Sequence, residues 1–358
     1  MNVLYDNQIF HIQKFGGISR YFYELISNSE NLYNPYISAK YNETNEYTKK
    51  LELYRDFPVN RYFLGKYTLI SFLNQIETIK KIKACSEIFH PTYYNNYFIG
   101  KAKKCKIVLT VYDMIHEKVS NAFINDDTSN KKKNAVFAAD TIIAISESTK
   151  KDMLEIYPSL SPDKIKVVYL GSSLQEIHNN NRTKDYILYV GQRWAYKNFE
   201  NFTKAAAPLL LKYNLKLKCT GQPFSQQELD MFFSLGIQHL VERVFVNDEE
   251  LSSLYSNALL FVFPSLYEGF GLPVLEAFAS GCPVIASNAS SLPEVGGNAV
   301  AYFDPLSISD MQQKMENVIV SESLQNDLIQ KGYQQLKKFS WRKCAEETAN
   351  IYRQVLQQ

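Results

Sequence analysis

Short apolar runs of strand type alternate with longer segments of helical period from one end of the chain to the other. That alternation points to a parallel sheet, because successive parallel strands must be joined by crossovers of a dozen or more residues, usually helices. The runs at 3–5, 87–90, 106–112, 141–145 and 166–169 form one set, and those at 186–190, 216–220, 244–245, 259–263 and 283–286 a second. Between them, residues 171–184 are polar, include Asn179-Asn180-Asn181, and carry no apolar periodicity, which reads as a linker. At 358 residues the chain is about twice the usual domain size, so two doubly wound α/β domains are expected.

The chemistry concentrates after two strands of the second set. Behind the run at 259–263 comes Pro264-Ser265-Leu266-Tyr267-Glu268-Gly269-Phe270-Gly271, followed by helical character from 272 to 279. Gly269 and Gly271 free the backbone for a tight turn, and Pro273 suits the first turn of a helix. A strand, a glycine loop and an exposed helix N-terminus make an anion cradle. Glu276 is expected in the first turn of that helix, reaching back to accept hydrogen bonds from ribose, with Glu268 placed to do the same for a second sugar. Taken singly, either glutamate is equally an acid that complements the helix dipole. After the run at 186–190, Arg193 and Lys197 stand where a doubly wound sheet binds ligands, and can neutralise a departing diphosphate or simply face solvent.

Cations after one strand and a Glu-flanked glycine loop after a later one resemble the retaining GT-B glycosyltransferases called family four, or group 1. The family's mark is two glutamates separated by seven residues in E-G-F-G-L-P-x-x-E-A, matched from Glu268 to Ala277. Ser280-Gly281-Cys282-Pro283-Val284-Ile285-Ala286 and Leu292-Pro293-Glu294-Val295 are similar to the family as well. The resemblance implies a GT-B fold of two Rossmann-like doubly wound domains facing across a cleft. A first domain at 1–175 is joined by the last helix, 341–358, which has Ala345, Ala349, Tyr352 and Leu356 on one face; a second domain spans 181–340. It further implies that a hexose-type sugar passes, with retention, from a nucleoside diphosphate to a hydroxyl of a glycan or lipid-linked acceptor. Arg193, Lys197 and the amides of Phe270, Gly271 and Leu272 would hold the diphosphate, Glu276 the ribose and Glu268 the donor sugar.

In the first half, Gly16-Gly17 at a helix start resembles the family's N-terminal glycine loop, with Arg20 as an acceptor or phosphate contact. The segment Asp113-Met114-Ile115-His116 follows a strand and resembles the family's T-V-H-D, with Tyr112 at the histidine position. Asp113 is accordingly expected to orient the acceptor or cap a helix, and His116 to take a polar role near the donor sugar or lie on the surface. His90 is a further cleft candidate. Ser146-Glu147-Ser148 resembles the family's S-x-S, and equally reads as a helix cap.

Composition narrows the setting. The longest apolar run, 258–263, is far short of the roughly 18 residues of a membrane span, and the start lacks a secretion signal, so a cytoplasmic location is expected. The five cysteines have no Cys-x-x-Cys spacing and read as buried thiols. No Asp-x-Asp is present, so neither a metal nor another cofactor is expected. Before Gly171 there are 23 basic and 18 acidic residues, against 16 and 19 after it. Lysines at 80, 81 and 83, at 101, 103, 104 and 106, and at 131–133 are solvated, or touch an acidic membrane face or a lipid phosphate. No nucleic-acid motif accompanies them. Two other readings use the same residues: a sugar-nucleotide epimerase of GT-B fold, and an inactive nucleotide-binding assembly protein. Neither needs an acceptor.

Overall fold

The structure, a computed structural model, describes residues 1–42, 45–52, 55–58, 63–84, 87–119, 123, 126–177 and 183–358, and for Asp248 and Glu249 the backbone alone. Cys85 and Asn179-Asn180-Asn181 lie outside the described residues. Two compact units emerge: Met1–Leu170 with Trp341–Gln358, and Gly171–Ser340.

The first unit holds β1 (Asn2–Tyr5), β2 (Asn34–Ile37), β3 (Ile88–His90), β4 (Lys106–Val111), β5 (Thr141–Ala144) and β6 (Ile165–Val167) in the order β2-β1-β3-β4-β5-β6, all neighbours parallel. The second holds β7 (Tyr186–Tyr189), β8 (Lys216–Cys219), β9 (Val241–Arg243), β10 (Leu260–Phe263), β11 (Val284–Ser287) and β12 (Val300–Phe303) in the order β12-β11-β10-β7-β8-β9, again parallel. Both sheets are doubly wound.

Central strands such as β5, β7, β10 and β11 are buried at every residue. Helices cover both faces of such a sheet, so these strands read as continuous apolar runs. Edge strands break the rule, and there the sequence misleads. β2 carries Pro35 and alternates exposed with covered residues, which an edge tolerates. β12 was likewise not anticipated. The run expected at 244–245 is not a strand: pairing with β8 falls at Val241–Arg243, and Phe245 is 83% exposed.

Contacts also move the domain boundary. The described part of the expected linker docks on the second unit, where Ile177 N–H donates to Ala279 O and Ile177 O accepts from the Tyr333 hydroxyl. The helix Trp341–Leu356 belongs to the first unit and buries Ala345, Ala349 and Tyr352, whereas Leu356, expected on the same face, is 36% exposed. The described cysteines, Cys105, Cys219, Cys282 and Cys344, are free and buried.

His90 is corrected from cleft candidate to core residue. It is fully buried, with Nδ1 2.6 Å from the Tyr352 hydroxyl and Nε2 2.9 Å from Thr110 Oγ1. Burial pushes its pKa down to about 3. The unfolded chain binds this proton near pH 6.5 while the native one refuses it, so stability is lost as pH falls below about 6.5 towards 3. Between pH 7.5 and 5 the group accounts for about 2 kcal/mol of that loss. Urea unfolding at both pH values should show a correspondingly smaller pH dependence for His90→Gln than for the wild type.

Candidate functional site

In the second unit the chain leaves β7 for β8 and β9 on one side and returns to build β10, β11 and β12 on the other, so the order reverses between β7 and β10. The carboxyl ends of strands at such a reversal open a crevice where doubly wound sheets bind ligands. The two loops with site candidates leave these two strands. That after β7 runs from Gly191 through a 3₁₀ turn at Ala195–Lys197 to Asn198, which is left-handed (φ 57°). Asn198 Nδ2 donates to Pro264 O (3.1 Å) and Pro305 O (2.8 Å), and Leu266 N–H donates to Tyr196 O (2.8 Å). The loops are thereby bound to each other. Across them, Lys197 Nζ lies 2.6 Å from Glu268 Oε1, with side chains 17% and 13% exposed.

The glycine loop is held from beneath by serines. Ser291 Oγ lies 2.9 Å from Glu268 O and 2.8 Å from Phe270 O, Ser290 Oγ accepts from Glu268 N–H (2.8 Å), and Ser287 Oγ donates to Ser265 O (2.5 Å). Gly271 has φ 114°, a conformation that calls for glycine, and a Cβ there would also press on the Leu292 side chain, 2.8 Å from Cδ2. It is the N-cap of the helix Leu272–Ala279, with Pro273 in the first turn and no side chain capping the end. Leu272 and Gly271 thus present helix N-terminal backbone where an anion is favoured. Glu276 differs from expectation: it is the fifth helical residue, beyond the first turn, 7% exposed, and accepts from the Tyr255 hydroxyl (3.3 Å).

Arg193 and Lys197 do different work. The Arg193 Nε donates to Glu228 Oε1 (2.6 Å), Nη1 to Thr220 O (2.9 Å) and Nη2 to Gln222 O (2.6 Å) and Pro223 O (3.1 Å). Burial opposes ionisation of Glu228, but hydrogen bonds from Arg193 and Ser225 outweigh it and hold the carboxyl below its usual value. This brace closes one wall of a cavity of about 710 Å³ past β7 and β8, which Gln192, Trp194 and Leu266 also line. Glu228 and the serines were not anticipated. The only available signal was a Ser-Ser pair before Leu292-Pro293, the pattern of a helix start.

First-unit candidates are placed as follows. Gly16 caps and Gly17 opens the helix Gly17–Ser27, where Gln13 Oε1 accepts from Ser19 N–H (3.2 Å). Arg20 Nε donates to the Tyr47 hydroxyl (2.9 Å). Asp113 Oδ1 accepts from Ile115 N–H (3.0 Å) in a local turn one residue ahead of Met114, the N-cap of the short helix Ile115–Lys118. His116 Nε2 lies 3.3 Å from Asp126 Oδ2, its ring is 4.3 Å from Phe123, and its buried Nδ1 has no partner. Tyr112, at the family's histidine position, is buried and donates to Thr92 O (3.3 Å). Ser146 Oγ accepts from Thr149 N–H (3.0 Å), the cap reading. Lys132 is corrected: it is no surface lysine but wholly buried, donating to Glu117 Oε2 (2.8 Å) and Asp113 O (2.9 Å). Among the described residues no group of three or more His, Cys, Asp or Glu is placed to hold a metal ion.

Two doubly wound sheets, one with a glycine loop and paired charges at its reversal, define an α/β protein of Rossmann-like kind, and known proteins make the class specific. Residues 172–335, nearly all of the second unit, match the family described as glycosyl transferases group 1. The serotype-specific mannosyltransferase WbdA of Escherichia coli is 30% identical over 276 residues, 70% of this chain and 34% of that protein. The O-antigen chain mannosyltransferase RfbU of Salmonella typhimurium is 29% identical over 178 residues, 49% of this chain and 50% of RfbU. The chain thus spans from about a third to half of the length of these relatives. Among solved structures, Anabaena Alr3699/HepE in complex with UDP and glucose superposes with a TM-score of 0.76 at 14% identity, covering 98% of this chain and 99% of that one. WaaG, a glycosyltransferase involved in lipopolysaccharide biosynthesis, gives 0.67 at 15%, covering 98% and 99%. The match over 172–335 is thus to glycosyl transferases group 1, and the chain as a whole shares the GT-B fold of these solved structures.

The serine support is open to test. Ser291→Ala removes the one hydroxyl donor that the Glu268 and Phe270 carbonyls share and should lower unfolding free energy by about 1–2 kcal/mol in urea. Exposed Ser309→Ala should stay within about 0.5 kcal/mol.

Proposed function

We propose that this protein transfers a hexose-type sugar, with retention, from a nucleoside diphosphate to a hydroxyl of a glycan or lipid-linked acceptor in the synthesis of a bacterial surface polysaccharide such as O-antigen. The observation that carries the reading is the Lys197–Glu268 pair at the sheet reversal, beside the helix N-terminus at Gly271-Leu272. That end and Lys197 together suit a diphosphate. Arg193 adds to them by exchanging the carbonyls of Gln222 and Pro223 for phosphate oxygens while keeping Glu228, an exchange favoured because both partners are then charged. Glu276 takes the ribose hydroxyls and Glu268 the donor sugar. The mannosyltransferase names of the relatives support the reaction class and setting.

The bond from the anomeric carbon to the diphosphate oxygen breaks with its electron pair leaving on the diphosphate. The acceptor oxygen bonds to the same face of that carbon, and its proton passes to the departing phosphate oxygen. Charge compensation comes from Lys197, Arg193 and the helix N-terminus, and neither metal nor protein nucleophile takes part. Asp113 is assigned to orienting the acceptor and His116 to a polar role near the donor sugar. Lys197→Ala and Glu276→Ala should each lower acceptor-dependent release of nucleoside diphosphate by about 100-fold or more. Near-normal rates in both variants would overturn the assignment.

Peripheral attachment to the cytoplasmic membrane face belongs to the same reading. Lys80, Lys83, Lys101, Lys103, Lys104 and Lys133 are exposed on the first unit, and no helix among the described residues is long and apolar enough to cross a membrane. Flotation with vesicles containing phosphatidylglycerol should carry the protein at low salt and release it at high salt, whereas phosphatidylcholine alone should not.

A further inference from the structure

The first sheet reverses too, between β1 and β3, and a cavity of about 440 Å³ opens between residues that follow those strands, the helix Lys66–Ala84 and residues 126–131. Its size suits a small ligand. The wall is amide, hydroxyl and ring: Asn7, Gln8, Gln75 and Asn95 beside Tyr93 and Tyr97. One carboxylate, Asp126, and one ammonium, Lys131, contribute opposite charges, while burial pushes the pKa of His11 down and keeps it neutral. With these charges cancelling, the wall has no excess of cations to favour a phosphate.

The wall is also rigid. Asp6, fully buried at the end of β1, accepts from Thr92 N–H (2.9 Å), Thr92 Oγ1 (2.6 Å), Gln8 Nε2 (2.6 Å) and the Tyr97 hydroxyl (2.7 Å). Gln8 in turn accepts from Asn95 N–H (2.7 Å). One polar atom is left over. Asn7 is 4% exposed, its Nδ2 reaches Tyr41 O only at 3.5 Å, and its buried Oδ1 has no partner. A buried acceptor left unmatched is costly, and a small turn about the soft amide torsion offers it to a ligand hydroxyl. His116 approaches the same cavity through Asp126. Tyr93, its pKa raised to about 12 by burial and then by the charges of Asp113 and Asp126, stays a hydroxyl donor at neutral pH.

From this geometry we infer that the cavity at the β1–β3 reversal is a subsite for one uncharged hexosyl residue of the acceptor, recognised by Asn7 and the tyrosine rings and closed to phosphate. Stacked rings and planar amides are the groups that match a sugar's C–H face and its hydroxyls. The inference rests on the transferase reading, and its test keeps the two apart. Methyl hexosides (gluco, galacto, manno and N-acetyl forms) and inorganic phosphate are titrated into the full chain by saturation-transfer NMR, with a nucleoside diphosphate followed in the same samples. At least one hexoside should bind and phosphate should not compete with it. Asn7→Ala and, as a milder second variant, Gln75→Ala should weaken hexoside binding at least tenfold with nucleotide binding intact. Unchanged hexoside binding in both folded variants, no hexoside binding at all, or displacement by phosphate would overturn the subsite. Loss of nucleotide binding by the wild type counts instead against the transferase reading.

Discussion

A parallel sheet has to bury both faces, and most of what is distinctive in this protein follows from that constraint. Helices cover β5, β7, β10 and β11 completely, so polar groups on these strands, such as Ser287, are spent on protein partners and ligand chemistry cannot reside there. It is displaced to the loops at their carboxyl ends. There it gathers where the strand order reverses, because neighbouring loops diverge to opposite faces and leave a crevice. Each unit has one reversal, β1–β3 and β7–β10, and each has a polar network there: Asp6 with its five donor groups in the first, Lys197 with Glu268 above the serine-held loop in the second.

The two networks differ in kind. At β7–β10 a cation, a helix N-terminus and backbone carbonyls bound to an arginine leave charge available to an anion. At β1–β3 a buried carboxylate is consumed by neutral donors and the cavity wall carries no net charge. The contrast arises from few residues: glycine at 271, where a Cβ would strike Leu292, and aspartate at 6, where the end of β1 enters the core.

What the sequence disclosed tracks burial. Central strands and the helix Leu272–Ala279 were legible within a residue or two, because an apolar run is the direct signature of a strand covered on both sides. β2 and β12 were not, and β9 was displaced, since an edge strand can alternate, carry Pro35 or stay polar without penalty. The site showed the same division. Glycines and glutamates with fixed spacing stood out, but Ser290, Ser291 and Glu228 act through contacts 20 to 35 residues away in sequence, which no local pattern encodes. Lys132 and His90 misled for a related reason: a lysine in a basic triplet reads as solvated, and a histidine after a strand reads as a ligand, until burial shows each with protein partners.

The Lys197–Glu268 pair is best understood as a charge held ready. At 17% and 13% exposure both groups have lost much of their hydration, and 2.6 Å apart each replaces what the other has lost. Glu268 is fixed on its backbone side by Ser290 and Ser291, so the lysine cannot relax away by carrying its partner along. In the proposed reading, a phosphate at Gly271-Leu272 would meet an ammonium already desolvated and held in place, and would add a second anion to a cation ordered when the loops folded. The same economy explains why Arg193 is bound to Glu228 instead of lying loose: a guanidinium with one side paired keeps its remaining N–H groups in a fixed plane. Preorganisation of this sort lowers the cost of binding, and only a fold that brings the β7 and β10 loops side by side can supply it.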